Sequence, residues 1–210
     1  IHPPSDPTRT RDSFIAKAPK AMVASAHPLA SQAGAAMLSA GGNVVDAAIA
    51  ASFVISVVRP QSTGIGGGGF MLYHDAAGKS TKAYDFRERA PAAAKRDMFL
   101  DKDGKPVAFH YKGAVIPDAA VNGHLAAGVP GLIAGLTEIH KRHGKLPLKQ
   151  VMAPAIAIAA QGFPVYASLH QKIVERAAVL EKFPSTRRIF LPRGKPLEVG
   201  SKLVQLDLAK

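Results

Sequence analysis

The sequence predicts a helix-rich α+β protein, and three observations support this fold class. Five segments repeat apolar residues at helical spacing. One further segment alternates apolar residues on either side of a turn, which is typical of a β-hairpin. Of the 210 residues, 47% are hydrophobic, which suits one globular domain with a sizeable core. The predicted helices span about residues 28–40, 44–58, 130–143, 148–161 and 167–181.

The first predicted elements are defined by their caps. Met22 to Ser25 predicts a short strand that ends before Pro28, where proline can begin a helix. This helix is predicted to end at Gly41, a glycine cap. Asn43 is the predicted N-cap of the second helix, and Asp46 faces the positive end of that helix. Because the second helix is apolar around nearly its whole circumference, we expect it to be buried on all sides.

Four consecutive glycines precede the predicted hairpin. The segment GIGGGGF resembles a phosphate-binding loop, but a dinucleotide site requires the order strand, glycines, helix. Here a helix comes first and a strand follows. We therefore interpret the glycines as residues that let a strand enter beside packed backbone. The hairpin is predicted within residues 70–86, with a turn at 75–79, and the charged residues 87–89 follow it.

The remaining elements are predicted from turn residues and caps. Residues 91–124 have few periodic positions and are predicted mainly as loop. Residues 193–205 are predicted to form a short hairpin, and Asp207 is the predicted N-cap of a helix at the end of the sequence. We interpret residues 1–210 as a partial single domain that begins with an extended lead at residues 1–20. The chain stops at the start of the last predicted helix.

The composition argues against several classes of partner. Because there is no cysteine, neither a disulfide nor a thiolate metal site can form. The apolar run at residues 47–58 is shorter than the roughly 20 residues that a membrane helix needs, so no membrane partner is predicted. The net charge is +12. The basic residues are spread in twos and threes without interleaved aromatics, so we predict a solvated surface and no nucleic-acid partner.

The sequence also lacks the usual signatures of metal and serine hydrolases. Eight histidines are present, but none belongs to an H-E-x-x-H pattern. His140 and His143 lie three apart on a predicted helix, where a cation that complements the helix dipole is favoured over a metal ligand. We predict no metal site. No G-x-S-x-G segment marks a nucleophilic serine.

Arg87 and Glu88 are the candidate site residues. A guanidinium group binds a planar carboxylate through two parallel hydrogen bonds, so Arg87 at the end of a strand is suited to hold an α-carboxylate. The alternative is a surface ion pair with Glu88, worth under about 1 kcal/mol. Residue spacing alone favours the ion pair.

Three segments resemble the γ-glutamyltranspeptidases, also called glutathione hydrolases. Residues 22–91 resemble the N-terminal block of that family, residues 126–165 resemble its next block, and residues 203–210 fit as well. The resemblance implies an N-terminal-nucleophile hydrolase with an αββα sandwich, of which this chain holds only the helix-rich N-terminal portion. In that family a precursor cleaves itself into a large and a small subunit, so the chain is expected to be the N-terminal part of a large subunit.

The resemblance favours a carboxylate-binding role for Arg87 over a surface ion pair. In the family motif R-E-x-A-P the arginine binds the α-carboxylate of the γ-glutamyl substrate, which implies this role for Arg87. Glu88 is then expected to orient Arg87, and Arg89 occupies the variable position of the motif. The nucleophile of the family is a threonine in a Thr-Thr-His motif. No such string occurs here, so no catalytic residue is predicted in this chain.

The resemblance also implies an activity for the whole enzyme. It would cleave the γ-glutamyl amide of glutathione through a threonine acyl-enzyme and transfer the γ-glutamyl group to water or an acceptor amine. A small subunit from the same precursor is the implied protein partner, and neither a metal nor an organic cofactor is implied. The Pro-rich lead fits an exported protein without its signal peptide, hence a periplasmic or secreted location, although a trimmed chain would look identical.

Two alternatives stay open. One is a related acylase that acts on a cephalosporin or on poly-γ-glutamate. The other is a complete, non-catalytic module that binds γ-glutamyl compounds, which would explain the missing nucleophile.

Overall fold

The structure is a computed structural model that describes residues 15–210, so residues 1–14 of the predicted lead lie outside it. Within this range the chain has the α+β composition that the sequence predicts, and its sheets are small antiparallel pairs. The α-helices are α1 (Pro28–Ser39), α2 (Val44–Val58), α3 (Leu132–His143), α4 (Leu148–Gln161), α5 (Ala167–Leu180), α6 (Pro184–Phe190) and α7 (Leu206–Ala209). The strands are β1 (Phe70–Asp75), β2 (Ser80–Asp85), β3 (Phe109–Tyr111), β4 (Ala114–Ile116), β5 (Phe163–Pro164) and β6 (Lys202–Leu203).

Helix α2 is the centre of the hydrophobic core. It packs against α1, α3 and α4, and its Ile49 and Val54 side chains are 0% exposed. The prediction that α2 is buried on all sides is wrong for one stripe, along which Val44 and Ala48 are exposed and Ile55 is half-buried. These positions share one helix face because they recur at helical spacing. No described helix is long and apolar enough to cross a membrane.

Local signals end α1 and begin α2 as predicted. Gly41 has a φ of 85°, and the N–H groups of Gly41 and Gly42 donate to carbonyls in the last turn of α1, which forms a Schellman motif. Asn43 accepts hydrogen bonds from the first turn of α2, while the Asp46 side chain accepts from the backbone of Asn43. This reciprocal pair is a capping box. Both predicted caps are confirmed.

The Asp46 carboxylate also joins two distant parts of the chain. It is 0% exposed. Besides the N–H of Asn43 at 2.9 Å, it accepts the N–H of Lys145 at 3.1 Å and the N–H of Leu146 at 3.3 Å. His140 Nε2 lies 3.5 Å from Oδ1 of the same carboxylate. Because Lys145 and Leu146 connect α3 to α4, Asp46 fixes that connection to the start of α2.

The two helical histidines contact different groups. His140 Nε2 lies 2.9 Å from the carbonyl oxygen of Leu146. His143 Nε2 is hydrogen-bonded to the Tyr84 hydroxyl, and its ring lies 4.7 Å from the ring of Tyr73. Among residues 15–210 no group of three or more His, Asp or Glu side chains could hold a metal ion. Through its contacts with Tyr84 and Tyr73, His143 joins the end of α3 to the hairpin of β1 and β2.

His27 caps α1 through its ring. Nδ1 accepts the N–H of Leu29 at 3.2 Å, which requires that this nitrogen carry no proton. Burial of the ring, and then the positive charge of Arg59, lower the pKa of His27 below its ordinary value. The neutral, capping form of His27 is thus favoured in the folded protein.

We expect this histidine to make stability depend on pH. The pKa of His27 is lower in the folded than in the unfolded protein. The contribution of neutral His27 to the free energy of unfolding is therefore fully present above the unfolded pKa of about 6.5, and it is lost as the pH falls through the folded pKa. His27→Asn keeps a good N-cap without this titration, so Tm should fall less steeply between about pH 7 and pH 5. An unchanged slope in His27→Asn would contradict the assignment.

Two predicted elements near the ends of the chain are wrong. Met22 to Ser25 forms no strand, because it pairs with no other strand among the described residues. Instead Val23 lies over Gly34 of α1, where an added Cβ would sit 2.8 Å from Val23 Cγ1. Residues 193–205 do not pair with each other. Leu203 of β6 pairs with Phe163 of β5, which comes much earlier in the chain.

Three further differences concern short elements. Residues 91–124 are mainly loop, as predicted, but they contain the β3–β4 hairpin. Helix α6 was not predicted, and it begins with Pro184 at its first position. Asp207 is not the N-cap of α7. Gln205 occupies that position, and Asp207 lies in the first turn with its carboxylate 2.7 Å from Arg188 Nη2.

Candidate functional site

The candidate site lies where β2 ends beside α3. Strands β1 and β2 pair with Phe70 opposite Asp85, and the pairing continues one step further. Phe86 donates its N–H to the Gly69 carbonyl at 3.0 Å and accepts the Gly69 N–H at 3.3 Å. Side chains therefore keep alternating between two faces past the end of β2. Tyr84, Phe86 and Glu88 are half-buried on the inner face, whereas Ala83, Asp85 and Arg87 are exposed on the outer face.

Glycines from two loops enclose the segment that follows β2. An added Cβ at Gly68 would lie 2.5 Å from the Phe86 carbonyl oxygen, and one at Gly131 would lie 2.1 Å from the same atom. At Gly135 it would lie 2.3 Å from Phe86 Cγ. The interpretation of the glycine-rich loop as a site of close backbone approach is confirmed at Gly68. The matching role of Gly131 and Gly135 was missed, since their contact with Phe86 leaves no local sequence signal.

Backbone hydrogen bonds fix these two loops to each other. The Gly67 carbonyl accepts the N–H of Gly131 at 3.0 Å and the N–H of Leu132 at 2.9 Å. Arg89 and Val129 exchange two backbone hydrogen bonds, at 3.2 and 2.8 Å. The backbone that carries Arg87 and Glu88 is therefore held on both sides.

Arg87 projects from the outer face of this fixed backbone. Its side chain is 60% exposed, and its Nε lies 3.4 Å from Glu88 Oε2. Its guanidinium carbon lies 5.9 Å from the centroid of the Phe70 ring. The Asp85 carboxylate accepts the backbone N–H of Arg87 at 3.0 Å. The structure thus brings the two candidate residues together and leaves most of the Arg87 side chain open to a ligand.

Glu88 is enclosed more tightly than Arg87. Its side chain is 31% exposed, and Oε2 is buried without a hydrogen-bond partner among the described residues. The 3.4 Å contact with Arg87 Nε is close enough for ionic attraction but too long for a strong hydrogen bond. The carboxylate lies over Gly68, where an added Cβ would be 2.8 Å from Oε2. Its position is consequently set by packing, and its charge attracts the guanidinium.

An apolar groove of about 610 Å³ lies next to these residues. Its walls come from residues 22–25, from α2 and from β1, and they include Phe70 and Phe86. Arg87 does not line this groove. Phe70 therefore stands between the groove and the exposed guanidinium.

Comparisons with known proteins agree with this architecture. The family model described as Gamma-glutamyltranspeptidase matches residues 30–210. The chain is 44% identical over 189 residues to the glutathione hydrolase proenzyme of Bacillus subtilis (strain 168), covering 90% of this chain and 31% of that protein. The γ-glutamyltranspeptidase structure from Helicobacter pylori is 37% identical, with a TM-score of 0.82, over 93% of this chain and 53% of that one.

A second structural match is the cephalosporin acylase from Bacillus halodurans, 28% identical with a TM-score of 0.71, over 86% of this chain and 32% of that one. The two structural matches confirm the predicted fold class, the helix-rich N-terminal portion of an N-terminal-nucleophile hydrolase. The chain spans about a third of the length of the curated relative, given the 31% coverage. The match over residues 30–210 and the 44% identity show that the chain belongs to the γ-glutamyltranspeptidase family.

Proposed function

We propose that residues 1–210 are the N-terminal part of the large subunit of a γ-glutamyltranspeptidase, one portion of a larger domain. Family membership supports this proposal, as does the 31% share of the curated relative that the chain covers. The observation that carries it is the exposed guanidinium of Arg87, at the end of β2 on a backbone held by two loops. Arg87 is the arginine of an R-E-x-A-P segment, residues 87–91.

Arg87 binds the α-carboxylate of a γ-glutamyl compound such as glutathione. Its guanidinium offers paired donors that match the two oxygens of a carboxylate, which an ammonium group does not. Glu88 orients Arg87 through their ionic contact. A carboxylate held in this way places the γ-amide in a defined position, so that attack on it approaches a unimolecular reaction.

The chemical step belongs to a threonine outside this chain. The threonine hydroxyl, activated by its own α-amine, attacks the γ-amide carbonyl and expels the amine portion of the substrate. Water or an acceptor amine then attacks the acyl-enzyme, takes the γ-glutamyl group and restores the threonine. In this proposal the precursor cleaves itself to release that threonine at the start of a small subunit, and the enzyme acts in the periplasm or is secreted.

Arg87→Lys in the full-length protein tests the role of Arg87. We expect kcat/KM for glutathione to fall about 10- to 100-fold, because a lysine keeps the charge but loses the paired hydrogen bonds. Cleavage of the precursor, followed by gel electrophoresis, should be unaffected. Arg89→Lys is the matched control at the next exposed arginine and should retain wild-type kinetics. Wild-type kinetics in Arg87→Lys would refute the assigned role.

A cephalosporin acylase is the second candidate, because a solved acylase matches 86% of the chain. Rates with glutathione, a cephalosporin amide and poly-γ-glutamate separate the two activities. If the cephalosporin amide is the preferred substrate and Arg87→Lys leaves its rate unchanged, the acylase is favoured.

A further inference from the structure

The Phe70 ring lies beside the Arg87 guanidinium on the outer face of the hairpin. Phe70 pairs with Asp85 across the two strands. Arg87 follows Asp85 by two residues and points to the same face, so Phe70 and Arg87 are diagonal neighbours. The distance of 5.9 Å from the guanidinium carbon to the ring centroid is within the range of a cation–π contact.

The position of this ring is set by the backbone and is not explained by the core. Phe70 is 68% exposed, whereas Met71, the next residue of β1, packs against the core. Phe70 directly follows Gly69, which is paired with Phe86 through two backbone hydrogen bonds. A large apolar side chain is therefore presented to the outside at a rigid point, next to the proposed carboxylate-binding group.

Different groups restrain different parts of Arg87. The Asp85 carboxylate holds its backbone N–H, and Glu88 lies on the Nε side of the guanidinium. The ring of Phe70 lies against the guanidinium. With Nε facing Glu88, the two terminal Nη groups are the pair left to bind a carboxylate. Restraining a long side chain before a ligand arrives lowers the entropy lost on binding.

We infer that Phe70 is a positioning residue for Arg87, whose ring holds the guanidinium with its terminal Nη groups facing the substrate carboxylate. This inference rests on the proposed function. It concerns substrate binding, since the ring acts through Arg87 and not on the reacting amide.

The test uses KM and kcat of the full-length enzyme with glutathione. Phe70→Leu should raise KM about two- to fivefold and leave kcat unchanged, because the aliphatic side chain has no negative ring face for the cation. Phe70→Tyr keeps the ring and should keep the wild-type KM. Leu72→Ala is the matched control, since Leu72 is 78% exposed two residues along the same face and should leave KM unchanged. Equal KM values in Phe70→Leu and the wild type would overturn the inference.

A double-mutant cycle separates positioning from a general effect on structure. In an Arg87→Gln background, Phe70→Leu should have no further effect on KM, because no cation remains for the ring to hold. If Phe70→Leu raises KM by the same factor in both backgrounds, the inference is overturned while the proposed function stays intact. A wild-type KM for Arg87→Gln would instead refute the proposed function itself.

Discussion

Gly131→Ala is expected to lower the free energy of unfolding by at least about 3 kcal/mol and to disrupt the backbone around Arg87. The added Cβ would lie 2.1 Å from the Phe86 carbonyl oxygen. That oxygen accepts the Gly69 N–H at 3.3 Å, and Gly131 itself donates to Gly67 at 3.0 Å. Since the clash is between backbone and Cβ, no change of side-chain rotamer can relieve it. Urea unfolding of the variant measures the loss.

Gly66→Ala is the matched control for this effect. It places the same extra methyl group in the same glycine-rich loop, but nothing lies within 4 Å of the added Cβ, and Gly66 is not in the left-handed region of φ. We expect an unfolding midpoint close to that of the wild type. Equal midpoints for the two alanine variants would show that the close approach at Gly131 does not matter for stability.

Asp46→Ala is expected to lower the free energy of unfolding by about 3 to 5 kcal/mol. The substitution leaves the N–H groups of Asn43, Lys145 and Leu146 without their buried acceptor. Because the Asp46 side chain is 0% exposed, its removal leaves a buried gap where the carboxylate accepted these hydrogen bonds. Chemical denaturation followed by circular dichroism tests this expectation.

Asp101→Ala provides the comparison for Asp46. The Asp101 carboxylate also accepts backbone hydrogen bonds, from Asp103 and Lys105 at 2.9 Å, but it is exposed. Water can replace it there, so the expected loss is under about 1 kcal/mol. A comparable loss in both variants would mean that burial does not set the cost at Asp46.

Elements with local signals at both ends were predicted closely. The observed bounds of α2 and α4 agree with the predicted ones, because Asn43 begins α2 and Gly162 ends α4. The hairpin of β1 and β2 also formed as predicted. Caps and turns act through neighbours within a few residues, so their effect can be inferred without knowing the rest of the fold.

Contacts between distant segments could not be inferred in this way. The pairing of β5 with β6 involves two residues on each strand, too few for a pattern. The strand predicted at Met22 to Ser25 has suitable residues but pairs with no strand among those described. At the site, the adjacency of Arg87 and Glu88 followed from the sequence, whereas the contacts of Phe70 and Gly131 required the folded backbone. The substrate roles of Arg87 and Glu88 remain proposals.

The alternation of side chains around the end of β2 has a consequence for evolution. Tyr84 and Phe86 point inward and pack against the core, whereas Asp85 and Arg87 point outward. An outward substitution alters what the surface offers to a small molecule and leaves the interior unchanged. If Arg87 has the proposed role, natural variation can thus change substrate choice one residue at a time at this edge, without first accumulating compensating mutations inside the protein.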